Sequence, residues 1–402
     1  MSVVPFKNPF RPGAGHMPPY LAGRGHETEE FIRLLDQDVI LQNLVLTGLR
    51  GVGKTVLLDT FKPLAMSSNW LWVGTDLSES SSLSEERIAI RLMADLAVVT
   101  SAIIINREEI AGFGFHPPKE VVEQRLDSEL MADLYKKTPG LTSDKIKAVL
   151  ELVSSCLKGA GRRGIIFAYD EAQNLSDHAM KDEFPLSLML DVFQSIQKKN
   201  IPFMLVLTGL PTLFPKLVEA RTFAERMFRV VTLDRLNDSD SRDALLKPTA
   251  PPECPVKMAP AMISAIIADS GGYPYFLQFM GREVYDVVIQ KFSDDPGERI
   301  HVPRDEINRK LDTDFFAGRW ARATDRQREL LRVIAHLENC DDEFTVQEIA
   351  EQSRQILPSP FSPSHINQML VKLGDAGLVY KNRHGKYSFA VPLLGRFILR
   401  QS

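Results

Sequence analysis

Cysteine is scarce in this chain. Three occur in 402 residues, Cys156, Cys254 and Cys340, far apart and in no metal-ligand spacing. That pattern argues against a disulfide framework and suits a reducing compartment. Long apolar runs are also lacking: no stretch approaches the roughly 18 residues that a membrane-spanning helix needs, so no membrane partner is expected. Met1 to Gly15 has no charged-then-apolar secretion pattern, and the expected location is the cytoplasm. Neither sign of charge dominates. Lys and Arg number 48 against 52 Asp and Glu, for a net charge of -4 and a pI near 6.1. Nothing global draws the chain to nucleic acid, so any such binding comes from a local patch. Internal repeats and low-complexity tracts are missing as well.

What is present is ordinary globular material: 44% hydrophobic and 25% charged residues, in a chain long enough for two or three domains. Pro5, Pro9, Pro12, Pro18 and Pro19 make the N-terminus an extended arm. Glu27 to Leu35 has helical spacing. Short apolar runs follow at Leu44–Thr47, Trp70–Val73, Ile165–Tyr169, Phe203–Leu207 and Phe228–Val231, with helical patterns between them. Strands alternating with helices imply a parallel five-stranded sheet covered by helices. About 82–158 reads as several helices, broken at Gly112, Gly114, Pro117, Pro118, Pro139 and Gly140.

The run Gly48-Leu49-Arg50-Gly51-Val52-Gly53-Lys54-Thr55 carries the most information. It fits G-x-x-x-x-G-K-[ST], which an average chain of this length matches by chance with odds of roughly one in a hundred. A strand precedes it and Val56-Leu57-Leu58 opens a helix. The glycines let backbone N–H groups turn inward around phosphates, and the helix N-terminus adds partial positive charge. The expected ATP or ADP contacts are Gly48, Arg50, Gly51, Val52, Gly53, Lys54, Thr55 and Val56. Lys54 reaches the β- and γ-phosphates, and Thr55 holds Mg2+.

Ile165 to Tyr169 delivers Asp170-Glu171 to a strand end. An apolar strand ending in Asp-Glu downstream of such a loop is the Walker B arrangement. Asp170 belongs in the Mg2+ shell, and Glu171 orients or activates the attacking water. Thr208 ends the next strand. It either holds that water and senses the γ-phosphate, or is a hydroxyl bonded to backbone.

Asp325–Leu337, Phe344–Ala350 and Ser364–Ala376 read as three helices, and Leu378–Tyr380 with Lys386–Val391 as a hairpin. That order is a winged helix-turn-helix. The third helix offers Ser364, His365, Asn367, Gln368 and Lys372. The wing offers Lys381, Arg383, His384 and Lys386 to phosphates. The acidic turn Asp341-Asp342-Glu343 and the weakly basic recognition face keep a protein-binding use open.

Together, Leu21-Ala22-Gly23-Arg24, the P-loop, Asp170-Glu171, Thr208 and Gly271-Gly272-Tyr273-Pro274 resemble the AAA+ and STAND-type ATPases. The likeness is strongest to the origin-recognition-like initiators, and it covers nearly the whole chain outside the insert. It implies an α/β P-loop NTPase core over 1–233 with a helical insert at about 80–158. A helical lid over 234–318 and a winged helix over 319–402 follow. It implies that Leu21 lies against adenine and that Pro274 packs near the base. The initiators carry a lid arginine where this chain has Pro274. It also implies an arginine that reaches a neighbouring subunit's γ-phosphate, Arg226 or Arg221, with Arg229 weaker because it falls inside a strand. Three functions compete: an ATP-hydrolysing switch that binds double-stranded DNA, a signalling ATPase whose winged helix binds protein and controls oligomerisation, and a nucleotide-holding module with negligible turnover. The Asp170-Glu171 pair disfavours the third.

Overall fold

A computed structural model describes residues 7–110, 120–294, 303–383 and 385–401. The chain divides into two compact units, one of residues 25–47 and 57–232, the other of 1–24, 48–56 and 233–402.

The first unit is built on strands buried on both faces, as parallel strands under helices must be. After helix α1 (Gly25–Leu35) comes β1 (Asn43–Thr47), buried along its whole length. Then follow α2 (Lys54–Ser67), β2 (Trp70–Val73) and α3 (Glu85–Thr100). Between α3 and the next helix the chain departs from its predicted helical pattern. It forms an antiparallel hairpin of β3 (Ile104–Ile110) and β4 (Glu120–Arg125). The β-branched Ile103-Ile104-Ile105 run favours a strand over a helix. Gly112, Gly114, Pro117 and Pro118 lie outside the described residues. Helices α4 (Ser128–Lys137) and α5 (Thr142–Gly159) complete the insert.

Strand β5 (Gly164–Tyr169), helix α6 (Pro185–Lys198) and strand β6 (Phe203–Gly209) follow, then α7 (Leu213–Ala220), α8 (Ala224–Met227) and β7 (Phe228–Thr232). The parallel sheet has the order β2-β5-β6-β1-β7. Phe167 of β5 meets Phe193 of α6 edge to face at 4.9 Å, and Leu92 and Leu96 of α3 and Val149 and Val153 of α5 fill out the same core. Sheet, insert and helices thus share one interior.

In the second unit the arm, Lys7 to Gly23, is irregular, in keeping with its prolines. The lid comprises α9 (Asp238–Thr249), α10 (Pro260–Ser270), α11 (Pro274–Asp294) and α12 (Arg304–Leu311). Pro274 is the first residue of α11, where its missing N–H is harmless. One π-helical turn, Asp312–Phe316, leads into α13 (Ala317–Trp320). Rings run in file through this turn: Tyr275, Phe315, Phe316 and Phe397 succeed one another with centroids 5.0 Å apart.

The C-terminal module follows as α14 (Asp325–Ala335), β8 (Phe344–Thr345), α15 (Val346–Ile356), α16 (Pro363–Asp375), β9 (Val379–Arg383), β10 (Lys386–Phe389) and α17 (Leu394–Arg400). Its antiparallel sheet has the order β8-β10-β9, and three helices with this hairpin follow the element order expected of a winged helix-turn-helix. Phe344 is a strand residue rather than the start of a helix. Helix α15 begins after Thr345, whose hydroxyl caps it while Glu348 closes the capping box. His384 lies outside the described residues. Among the described residues no helix is long and apolar enough to cross a membrane.

One fully buried amide ties the first unit's strands to its helices. Asn43 Oδ1 accepts from Leu205 N–H at 2.7 Å and from Gln197 Nε2 at 2.9 Å, while Nδ2 donates to Met227 O at 3.2 Å. Asn43→Ala strands these partners without water and is expected to lower unfolding stability by about 2–3 kcal/mol in urea titration. A loss below about 0.5 kcal/mol would show the network to be dispensable.

Candidate nucleotide site

The P-loop follows Thr47, the last residue of β1, and belongs to the second unit. Gly51 and Gly53 take φ of +81° and +91°, a region that side chains with a Cβ avoid. The loop has thus spent these glycines on backbone conformations that other residues rarely adopt. Lys54 is buried, and its Nζ donates to Gly48 O and Leu49 O, both at 2.9 Å. Thr55 and Val56 lie in the first turn of α2, where helix N–H groups have no intrahelical acceptor.

Three side contacts hold this loop within its unit. The Arg24 guanidinium is buried and donates to Val52 O at 2.9 Å and to Asp234 O at 2.8 Å. Tyr275 N–H, one residue after Pro274, donates to Gly51 O at 3.0 Å. Arg50 reaches Gly377 O at 3.4 Å, in the turn before β9. Leu21 and Ala22, just before Arg24, are partly and fully buried. The Arg319 guanidinium lies over the Phe315 ring at 4.7 Å. Burial, and then the nearby charges of Arg50 and Arg322, push its pKa down. Among the described residues no carboxylate pairs with Arg50, Arg319 or Arg322, which leaves positive charge among them.

The strand tips lie in the first unit. Tyr169 pairs in register with Leu207, so Asp170 stands level with Thr208, and Thr208 stands beside Leu46 of β1. The backbone of Asp170 bridges to the segment after β2: Asp170 N–H donates to Thr75 O at 3.3 Å, and Leu77 N–H to Asp170 O at 2.9 Å. The Asp170 side chain is buried, and its Oδ1 accepts from Glu171 N–H at 2.7 Å. Glu171 is exposed, with φ of +51°. Thr208 is fully buried, and its hydroxyl has no hydrogen-bond partner among the described residues. Such an orphan costs about 1–3 kcal/mol. A phosphate oxygen or an ordered water would satisfy it, so the chemistry of the tips fits a bound nucleotide. Among the described residues no three His, Cys, Asp or Glu side chains gather into a metal cage. A magnesium ion would therefore draw on phosphate oxygens together with one hydroxyl and one carboxylate, a set that suits it.

The arginine candidates separate cleanly. Arg221 is spent on its own unit, with Nε and Nη2 on Asp191 at 2.8 and 2.7 Å and Nη1 on Ser187 Oγ at 2.8 Å. Arg229 pairs with Glu30 at 2.8 Å. Arg226, on α8, is exposed and has no ion pair among the described residues. Arg24 and Tyr275 hold the P-loop backbone through partners distant in the chain. The Leu21-to-Arg24 motif gave a signal for the first of them.

Solved structures share the overall fold. The Walker-type ATPase of Pyrococcus abyssi superposes with a TM-score of 0.59, covering 94% of this chain and 96% of its own at 16% identity. The ORC2 protein of Aeropyrum pernix in its ADP form gives 0.53, covering 97% of each chain at 12% identity. Its ADPNP-ADP complexes give 0.51, covering 97% and 95% at 12% identity. This chain has the AAA+ P-loop ATPase fold of these structures. A family model described as a domain of unknown function (DUF8462) matches residues 313–398 of it. No curated protein matches the sequence. Within the AAA+ fold the 313–398 match begins in the π-helical turn and spans the winged helix.

The Arg24 contact is directly testable. Arg24→Met keeps the apolar stem but leaves the Val52 and Asp234 carbonyls without their donor. It should lower stability by about 1–3 kcal/mol in urea titration. Unchanged stability would mean that water replaces the guanidinium at no cost.

Proposed function

We propose that this chain is an ATP-binding and ATP-hydrolysing switch whose nucleotide state governs DNA binding by its C-terminal winged helix. One observation carries the reading. Gly51 and Arg50, adjacent in the P-loop, are hydrogen-bonded to the first turn of α11 and to the turn before β9. A loop that reshapes around phosphate therefore pulls on both the lid and the winged helix. The ORC2 relative was solved with ADP and with ADPNP, which supports an adenine nucleotide as ligand.

In this reading the phosphates take Lys54 from the carbonyls of Gly48 and Leu49. Thr55 and Asp170 would hold Mg2+, which would neutralise phosphate charge. Glu171 takes the proton of the attacking water, and the orphan hydroxyl of Thr208 holds that water or the γ-phosphate. Leu21 and Pro274 flank the base. Arg226, which has no ion pair among the described residues, serves a neighbouring subunit in a homo-oligomer.

On α16, Ser364, His365, Asn367, Gln368 and Lys372 are exposed, and Val371 stands among them at 63%. These are groups that can meet base edges and a thymine methyl. The same face holds one formal positive charge, and that favours a second reading. There the chain is a STAND-type signalling ATPase, and the winged helix contacts a protein partner and restrains oligomerisation.

Lys54→Ala should weaken ATP binding. Glu171→Gln should keep binding and lose most turnover, because only the proton acceptor changes. Normal turnover in Glu171→Gln would remove that role. In the same assay Arg226→Ala should lower turnover at unchanged affinity, and specific activity independent of protein concentration would exclude action in trans.

DNA binding has its own signature. Lys381 and Lys386 lie on the wing strands, so replacing both with Ala should remove up to about two phosphate contacts. The slope of log affinity against log salt should flatten by roughly 0.9 for each. If the ATP-bound wild type shows no duplex affinity at low salt, the DNA reading fails and the signalling reading leads.

A further inference from the structure

The register of β5 with β6 ends at Tyr169, opposite Leu207. The backbone of Asp170, one residue on, is tied instead to the segment after β2, through Thr75 O at 3.3 Å and Leu77 N–H at 2.9 Å. Tyr169 adds a tie through its side chain. Its ring is fully buried, and its hydroxyl donates to Asp95 Oδ2 of α3 at 3.0 Å. Asp95 is buried too. Arg91, one turn earlier on α3, holds the same carboxylate through Nε at 2.9 Å and through Nη2. All three residues lie in the first unit. A helix of the insert thus grips the last paired residue of the strand, 74 positions further along the chain.

Such a cluster is a poor way to fill a core. A buried carboxylate loses its water, and apolar side chains of similar size in place of a buried ion pair are often neutral or stabilising. The Tyr169 hydroxyl adds direction rather than bulk, since Phe would fill the ring's space as well. Direction here means a fixed strand end. Successive strand residues point to opposite faces, so the ring of Tyr169 and the carboxylate of Asp170 leave one stretch of backbone on opposite sides. A ring free to slide lets the backbone of Asp170 tilt with it. Mg2+ demands near-ideal octahedral geometry and tolerates little tilt in a ligand.

We propose that Asp95, acting through the Tyr169 hydroxyl, is a positioning residue that sets Asp170 for Mg2+. This rests on the reading of Asp170 as a Mg2+ ligand. The Tyr169 hydroxyl and the Asp95 carboxylate are occupied with each other and with Arg91 inside the core, so the pair acts only through the strand end. It also couples the insert, by way of α3, to the metal.

Tyr169→Phe in the full chain removes the hydroxyl and keeps the ring. The Mg2+ concentration that half-saturates ATP turnover should rise roughly three- to tenfold, corresponding to about one hydrogen bond. Affinity of the ATP complex for Mn2+, read by electron paramagnetic resonance, should fall by the same factor. ATP affinity in EDTA should stay within about twofold of wild type, because the phosphate contacts are untouched. Tyr169→Phe combined with Asp95→Leu separates positioning from packing. The double variant replaces the polar pair with apolar bulk, so its melting temperature should come back to within about 3 °C of wild type while Mn2+ affinity stays low. Mn2+ affinity that recovers with the melting temperature overturns the proposal, and so does an equal loss of ATP affinity in EDTA. Asp170→Asn tells the two readings apart. A loss of Mn2+ affinity there, with none in Tyr169→Phe, overturns the positioning role alone. Unchanged Mn2+ affinity in Asp170→Asn overturns the metal role of Asp170, and the proposal falls with it.

Discussion

A turn from Gly48 to Lys54 has to keep a shape that few side chains allow, and it has almost no bulk of its own with which to hold it. Glycines supply the conformations at 51 and 53 and leave the loop without packing. The second unit makes up the deficit from outside with hydrogen bonds. The Arg24 guanidinium caps Val52 and reaches Asp234 in the same stroke, Tyr275 N–H holds Gly51, and Arg50 ties to Gly377. An arginine suits the buried clamp because its fork of donors serves two carbonyls at once and keeps its charge when buried. Arm, lid and winged helix therefore contribute to one loop, and its shape is where their energies meet.

The strand tips follow a different logic. The sheet's order puts β5, β6 and β1 side by side, so that Asp170, Thr208 and the last residues of β1 come level without any contact being designed for the purpose. Parallel strands all present the same end, and polar groups placed there face the same way. The first unit leaves the Thr208 hydroxyl unsatisfied and the Glu171 backbone in the left-handed region, a concentration of local cost at the strand ends.

Much of this was legible in the residues because the decisive signals are local. The P-loop is eight consecutive residues, the Asp-Glu pair ends an unbroken apolar run, and all five sheet strands lie where their apolar runs lie. Thr345 capped its helix as its spacing with Glu348 requires, although the helix starts two residues later than the apolar pattern suggests. The misses share a cause. The β3–β4 hairpin hides in a region whose neighbours are strongly helical, and two-residue β8 is too short for any periodicity. Arg24 acquires its partners 28 and 210 residues away, and Arg221 acquires Asp191 30 residues away. No short pattern records such pairings.

The aromatic file from Tyr275 through Phe315 and Phe316 to Phe397 also has a mechanical side. Rings are held at similar distances whether they meet edge to face or stacked, and the energy changes little between the two. Here the succession is tilted, edge to face and stacked, at one spacing throughout. Such a file resists being pulled apart far more than it resists being turned. It behaves as a swivel: a rotation imposed at Tyr275, beside the P-loop, is absorbed along the file while Phe397 of α17 stays attached.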